Sequence, residues 1–159
     1  MKKLLLIRHA KAVHDTDYRD FERPLKHSGV RDATTMSERL NAEGIKPQLL
    51  VTSPSIRTIA TADIFAEHLK LSKPAEDQSI YDASQQTLLD VVNGFSDKHD
   101  FIGLVGHNPG ISQLLNYYTD ELREVSPGAV ALITFEAEEW KEVTNDSGKL
   151  TWFSSPKDH

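Results

Sequence analysis

Apolar residues in this chain occur as short unbroken runs and as longer, spaced stripes. The first run, Leu4-Leu5-Leu6-Ile7, stops at a cation and an imidazole, Arg8-His9. Four consecutive large aliphatics are too few to cross a membrane and too continuous for a strand with one wet face. They predict a central strand covered on both sides, with two chemical side chains at its carboxyl end. Residues 11 to 28 mix charges, aromatics and Pro24 without periodicity, which predicts a long functional loop. A helix is expected from Ser28, as N-cap, to about Glu43, with Val30, Ala33, Met36, Ser37 and Leu40 as its inward stripe and Gly44 as its stop.

Leu49 to Thr52 predicts a second strand, and Ser53-Pro54 reads as N-cap and first residue of a helix to about Leu71, with Ile56, Ala60 and Ile64 inward. A weak strand near Ser79 to Tyr81 and a helix over 84–95 follow, then a third clear strand, Phe101 to Val105. That strand also ends in chemistry and a helix start, Gly106-His107-Asn108-Pro109, with Asn108 as expected N-cap. A helix over 110–119, a β-rich run from Ala129 to Phe135 and a last strand from Lys149 to Phe153 complete the order. Strands alternating with helices imply an α/β fold of three layers, α/β/α. The central sheet is expected to be mostly parallel, with antiparallel edge strands late in the chain.

Length narrows this to one domain over residues 1–159, large enough to bury a core. The absence of cysteine excludes disulfides, thiolate nucleophiles and Cys-ligated metal sites. The N-terminal Met-Lys-Lys-Leu lacks the apolar length and cleavage site of a secretion signal, so a cytoplasmic protein with no membrane partner is expected. A net charge of -6 argues against nucleic acid as a partner. The charge is uneven, however: residues 1–31 hold eight Lys or Arg against four Asp or Glu. That basic surplus shares its segment with Arg8-His9 and would draw an anion to it.

Three strand ends therefore carry Arg8-His9, Ser53-Pro54 with Arg57 one turn on, and His107. Parallel strands put such ends on one rim of the sheet, beside helix N-termini that favour anions. Two guanidiniums and two imidazoles there suit a phosphoryl group, since Arg offers paired donors that stay charged at any working pH. No His-Glu-x-x-His or comparable ligand spacing is present, and a divalent cation would compete with both arginines, so neither metal nor cofactor is expected. His9 reads instead as a nucleophile that forms a phosphohistidine intermediate, with Arg8, Arg57 and His107 neutralising charge in a loose transition state.

The words Leu6-Ile7-Arg8-His9-Ala10, Ser53 through Ala62, and Val105-Gly106-His107-Asn108-Pro109 closely resemble the histidine phosphatase superfamily, the fold group of phosphoglycerate mutases and acid phosphatases. Ala10, Arg23-Pro24-Leu25 followed by Gly29, the short length and Trp140 are most similar to its SixA-type phosphohistidine phosphatases. The resemblance implies a phosphoglycerate mutase-like fold, with His9 as phospho-acceptor and Arg8, Arg57 and His107 as phosphate ligands. It also gives Arg23 a claim to substrate binding.

The wider family generally places a carboxylic acid after the second strand-helix unit, and Asp82 is the acidic side chain of that stretch here. Asp82 reads equally well as general acid and as cap of the next helix. A phosphoramidate relaxes the requirement, because its leaving imidazole has an unperturbed pKa of about 6.5. The expected substrate is phosphohistidine on a protein, such as a histidine-containing phosphotransfer domain, whose acidic surface Arg23, Lys26, His27 and Arg31 would meet. A small phosphate ester cleaved with Asp82, and a phosphate- or phosphoprotein-binding module without turnover, are the alternatives. His14, His68, His99 and His159 lack motif context and read as surface residues.

Overall fold

The computed structural model describes residues 1–158, so His159 lies outside the described residues. Six strands form one sheet: β1 (Lys2–Arg8), β2 (Leu49–Thr52), β3 (Ala75–Glu76), β4 (Phe101–Gly106), β5 (Val130–Phe135) and β6 (Gly148–Ser154). Their spatial order is β3-β2-β4-β1-β5-β6. The helices are α1 (His27–Ala42), α2 (Ile56–Leu69), α3 (Gln85–Asn93) and α4 (Gly110–Thr119). β1 pairs in parallel with β4, and β2 in parallel with β3 and β4, whereas β5 runs antiparallel to both β1 and β6. The sheet is thus the expected mostly parallel one, with its antiparallel pairings contributed by the last two strands.

β1 is buried on both faces because its aliphatics alternate between two cores. Leu4 and Leu6 join Ile111, Leu114, Tyr118 and Trp140 on the side of α3 and α4. Leu5 and Ile7 join Met36, Leu40 and Phe65 on the side of α1 and α2. Parallel strands need crossover helices, and these cover both faces of the sheet.

Local expectations fail mainly at helix starts. α1 begins at His27 behind Lys26, without a side-chain cap, so Ser28 is not its N-cap. Val30 is 43% exposed. The buried stripe instead begins at Gly29 and runs through Ala33, Met36, Ser37 and Leu40. Since successive helical residues are about 100° apart, turning Gly29 inward turns Val30 out. α2 starts at Ile56 and is capped by Ser55, whose side chain accepts from the Thr58 N–H, rather than by Ser53. Ile56 consequently points to solvent, 44% exposed, while Arg57, Thr58, Thr61 and Phe65 turn in.

The strand expected at Ser79 to Tyr81 is a 3-10 turn, Gln78–Ile80, and the short strand precedes it at Ala75–Glu76. α3 is capped by Ser84, so the capping role considered for Asp82 is not observed. Asn108 stands one residue before the cap of α4, yet its Oδ1 still accepts from the Ser112 N–H at 3.2 Å. No helix among the described residues is long and apolar enough to cross a membrane.

Gly29 has a steric reason to be glycine. A Cβ there would lie 2.2 Å from the Lys11 carbonyl oxygen, which also receives the Lys26 N–H. The helix is thereby pressed against the backbone just beyond His9. Gly29→Ala should destabilise the protein by about 1–3 kcal/mol, as overpacking does, and displace that loop. Urea denaturation measures the loss, and the change in kcat/KM should exceed that of an exposed control such as Val30→Ala.

Candidate active site

The aligned registers bring the three motifs together. Arg8 lies opposite Gly106 across β1 and β4, and Thr52 opposite Val105 across β2 and β4. The residues that follow, His9, Ser53 and His107, therefore emerge along one rim, with Arg57 beside them on the first turn of α2. Arg8, His9, Arg57 and His107 line one cavity of about 550 Å3, together with Lys11, Asp20, Arg23, Lys26, Tyr81 and Asp82. Five of its lining side chains are cationic and two are carboxylates, which confirms the electropositive mouth expected from the charge distribution.

His9 is held in one tautomer. Its Nδ1 lies 2.8 Å from the Ala10 carbonyl oxygen. A carbonyl only accepts, so Nδ1 carries the proton and Nε2 keeps its lone pair. Burial pushes the His9 pKa down to about 4, with Arg57, Arg8 and Arg23 adding repulsion against a second proton, although the bond to Ala10 opposes this. The ring is neutral at pH 7 and carries a free nitrogen. Ala10 is itself buried, with its N–H donating to Thr61 Oγ1 at 3.1 Å, so the carbonyl that orients the imidazole is anchored to α2.

The same reasoning fixes His107. Arg57 Nη2 lies 3.2 Å from its Nδ1, and a guanidinium only donates. Nδ1 must accept, and Nε2–H donates to Ser53 Oγ at 2.9 Å. Burial, then Arg57, lowers the His107 pKa to about 3, so this ring too is neutral at pH 7. The two imidazoles sit with centroids 5.4 Å apart. Ser53 is fully buried, and its hydroxyl orients His107 where a helix cap had been expected.

Both guanidiniums are anchored while keeping a donor in reserve. Arg8 Nη1 donates to the Val125 carbonyl at 3.1 Å, and Arg57 Nη1 to the Asp20 carbonyl at 2.6 Å. The Nε atoms of both are buried without a partner, a costly state that an anion in the cavity would relieve. Two fixed arginines thus flank a neutral imidazole whose Nε2 faces the cavity as an unprotonated nitrogen.

Residues 4–83 match the family model of the histidine phosphatase superfamily, branch 1. The chain belongs to the histidine phosphatase superfamily. It is 28% identical over 163 residues to an uncharacterised chloroplastic protein of Arabidopsis thaliana, covering 95% of this chain and 74% of that one. Its fold is that of the protein histidine phosphatase SixA, solved with tungstate, at a TM-score of 0.84 and 18% identity over 97% of each chain. A candidate SixA phosphohistidine phosphatase from Agrobacterium tumefaciens matches with a TM-score of 0.83 and 21% identity over 98% of each chain. A match to the histidine phosphatase family supports phosphatase chemistry.

Around the superfamily's expected quartet the structure adds residues that the sequence had left unassigned. Asp20 is the chief one. Its Oδ2 accepts from Tyr81 OH at 2.6 Å and Arg57 Nη2 at 3.1 Å, while Oδ1 accepts from Arg23 Nε at 3.2 Å and forms an ion pair with Arg23 Nη2 at 3.1 Å. The Tyr81 hydroxyl, then Arg57 and Arg23, lower the Asp20 pKa to about 2. Tyr81 also stands edge-on to His107 at 5.6 Å and to Phe21 at 5.1 Å. Arg23 further donates to the Val13 carbonyl at 3.1 Å and to His14 Nδ1 at 3.0 Å. His14, expected as an unremarkable surface residue, thus lines the mouth.

Lys26 lines the mouth as well, whereas His27 and Arg31 are exposed outside the cavity lining. Asp82 reaches the lining from an exposed turn residue with φ 52°. Among the described residues no group of three or more His, Cys, Asp or Glu is arranged to hold a metal ion.

The neutral histidines have a thermodynamic consequence. Each has a folded pKa below its unfolded value of about 6.5, so below that pH the unfolded chain takes up protons that the fold refuses. Their contribution is complete above pH 6.5 and is lost as pH falls toward 4. Unfolding free energy from urea melts should decline over that window by up to about 1.4 kcal/mol per pH unit for each histidine. In His107→Asn the slope between pH 6 and 4 should shrink by about one proton's worth.

Proposed function

We propose that this phosphatase removes the phosphoryl group from phosphohistidine on a protein, through a covalent phospho-His9 intermediate. The observation that carries the reading is the state of His9: neutral, with Nδ1–H spent on the Ala10 carbonyl and Nε2 left with its lone pair, beside two anchored arginines. A group that merely bound phosphate would gain more from a protonated imidazole. Nε2 attacks phosphorus as the bond to the leaving group breaks, and water then hydrolyses the phospho-His9 bond to release phosphate. Arg8 and Arg57 hold the equatorial oxygens, and most of the acceleration comes from positioning and charge neutralisation. His107 accepts from Arg57 Nη2 at Nδ1 and spends its Nε2–H on Ser53, so it positions the Arg57 guanidinium and does not donate to the phosphoryl group.

Substrate choice follows from the proton that the leaving group needs. An alkoxide must be protonated as it departs, yet Asp20 is ionised far below neutrality and has no proton to give. An imidazole leaves readily without such an acid. The likeness in fold and length to the protein histidine phosphatase SixA supports the same choice. Lys11, Arg23 and Lys26 at the mouth would meet an acidic surface such as that of a histidine-containing phosphotransfer domain. The second reading, cleavage of small phosphate esters, rests on Asp82, which lines the same cavity and would serve as acid.

The test offers the protein a phosphorylated histidine-containing domain and an alkyl phosphate ester, whose alkoxide leaving group must be protonated, with a chelator present. His9→Ala should abolish turnover of both and lose the acid-labile phosphoenzyme in a rapid quench; turnover at the wild-type rate would sink the covalent mechanism. Arg57→Ala should lower kcat roughly 10² to 10³-fold, by analogy with a lost oxyanion donor. Asp82→Ala should leave phosphohistidine cleavage in place, and a loss confined to esters would assign Asp82 as their acid.

A further inference from the structure

Resting on the phosphohistidine reading, we infer that the Asp20 carboxylate recognises the protonated imidazole leaving group and so selects N–P over O–P bonds. Asp20 stands at the mouth, its side chain 55% exposed, whereas His9 is 8% and Arg57 5% exposed at the base. In-line attack from His9 sends the leaving group away from the base, toward the mouth.

The carboxylate has four lone-pair sites, and three hydrogen bonds meet them, from Arg23 Nε, Tyr81 OH and Arg57 Nη2. The buried Arg8 and Arg57 Nε–H groups are the donors left for a phosphoryl group, so phosphate binding leaves the fourth carboxylate site open and sets the carboxylate beside a dianion. The imidazolium of phosphohistidine answers both, because its remote N–H donates into the open site and its positive charge offsets the repulsion. An ester offers neither.

No proton is transferred to Asp20 in this scheme. The P–N electron pair returns to the ring nitrogen that held phosphorus, the remote N–H stays in place, and imidazole departs neutral while His9 Nε2 takes the phosphoryl group. Asp20 stays ionised throughout, as its low pKa requires.

Asp20→Asn suits the test, because the Asp20 backbone carbonyl still anchors Arg57 Nη1 and the amide can still accept from Tyr81. N-phosphoimidazole and p-nitrophenyl phosphate are the probes, being too small to report protein docking. Asp20→Asn should lower kcat/KM for phosphoimidazole about 10- to 100-fold more than for the ester, the range expected for a lost hydrogen bond between charged groups. Asp20→Glu, which keeps the charge, should recover part of the preference. An equal loss on both substrates, or none on either, would reduce Asp20 to a prop for Arg57 and overturn the inference. A wild-type protein that cleaves the ester but neither phosphoimidazole nor the phosphorylated domain would overturn the parent reading as well, and the silent wild-type arm separates that failure from the first.

Discussion

The site depends on the burial of β1 between two cores. A strand that is apolar on both faces gains nothing from one alternation over the other, so its pattern alone does not specify register. Its ends do. Lys2 is almost wholly buried, with Nζ 2.8 Å from Asp100 and 5.7 Å from the centre of the Trp140 ring. At the other end the Arg8 N–H donates to the Ala129 carbonyl, and the Gly128 N–H to the carbonyls of Arg8 and His9. Sliding the strand by one residue would strip Lys2 of its partners and break those contacts together. The position of His9 is thus set by interactions along the whole length of β1.

The same burial decides the charge state of the site. His9 and His107 sit among cations in a water-poor pocket, and both effects drive protons off them. The result is a neutral imidazole at His9 beside permanently charged arginines, a combination that free histidine and arginine in water would not maintain to the same pH. Asp20 balances part of the positive charge of the cavity. One carboxylate holds Arg57 and Arg23 apart and keeps Tyr81 against His107.

Legibility from sequence tracked the range of the interactions involved. The apolar runs identified β1, β2, β4 and β5 because a buried parallel strand leaves a continuous local signature. Arg8, His9, Arg57 and His107 were legible because each follows a strand end closely and parallel strands align those ends. Helix starts were less so. Ser53 and Ser55 are two residues apart and chemically the same, and only the approach of His107 across the sheet decides which hydroxyl caps α2. Asp20 left no signal at all in a stretch without periodicity. It lies 37 residues from Arg57 and 61 from Tyr81, and no local pattern announces a contact of that span.

The sequence by itself determined the layered α/β fold, the strand ends that carry the chemistry and the electropositive sense of the mouth. Periodicity, strand-helix alternation and charge are properties of neighbouring residues. Tertiary structure alone decided which nitrogen of each histidine bears the proton, which serine caps and which orients, and that an aspartate from the long loop closes the ring of charges. Those outcomes are set by single donors and acceptors meeting across elements, where one carbonyl at Ala10 or one guanidinium at Arg57 is enough to choose between two otherwise equivalent states.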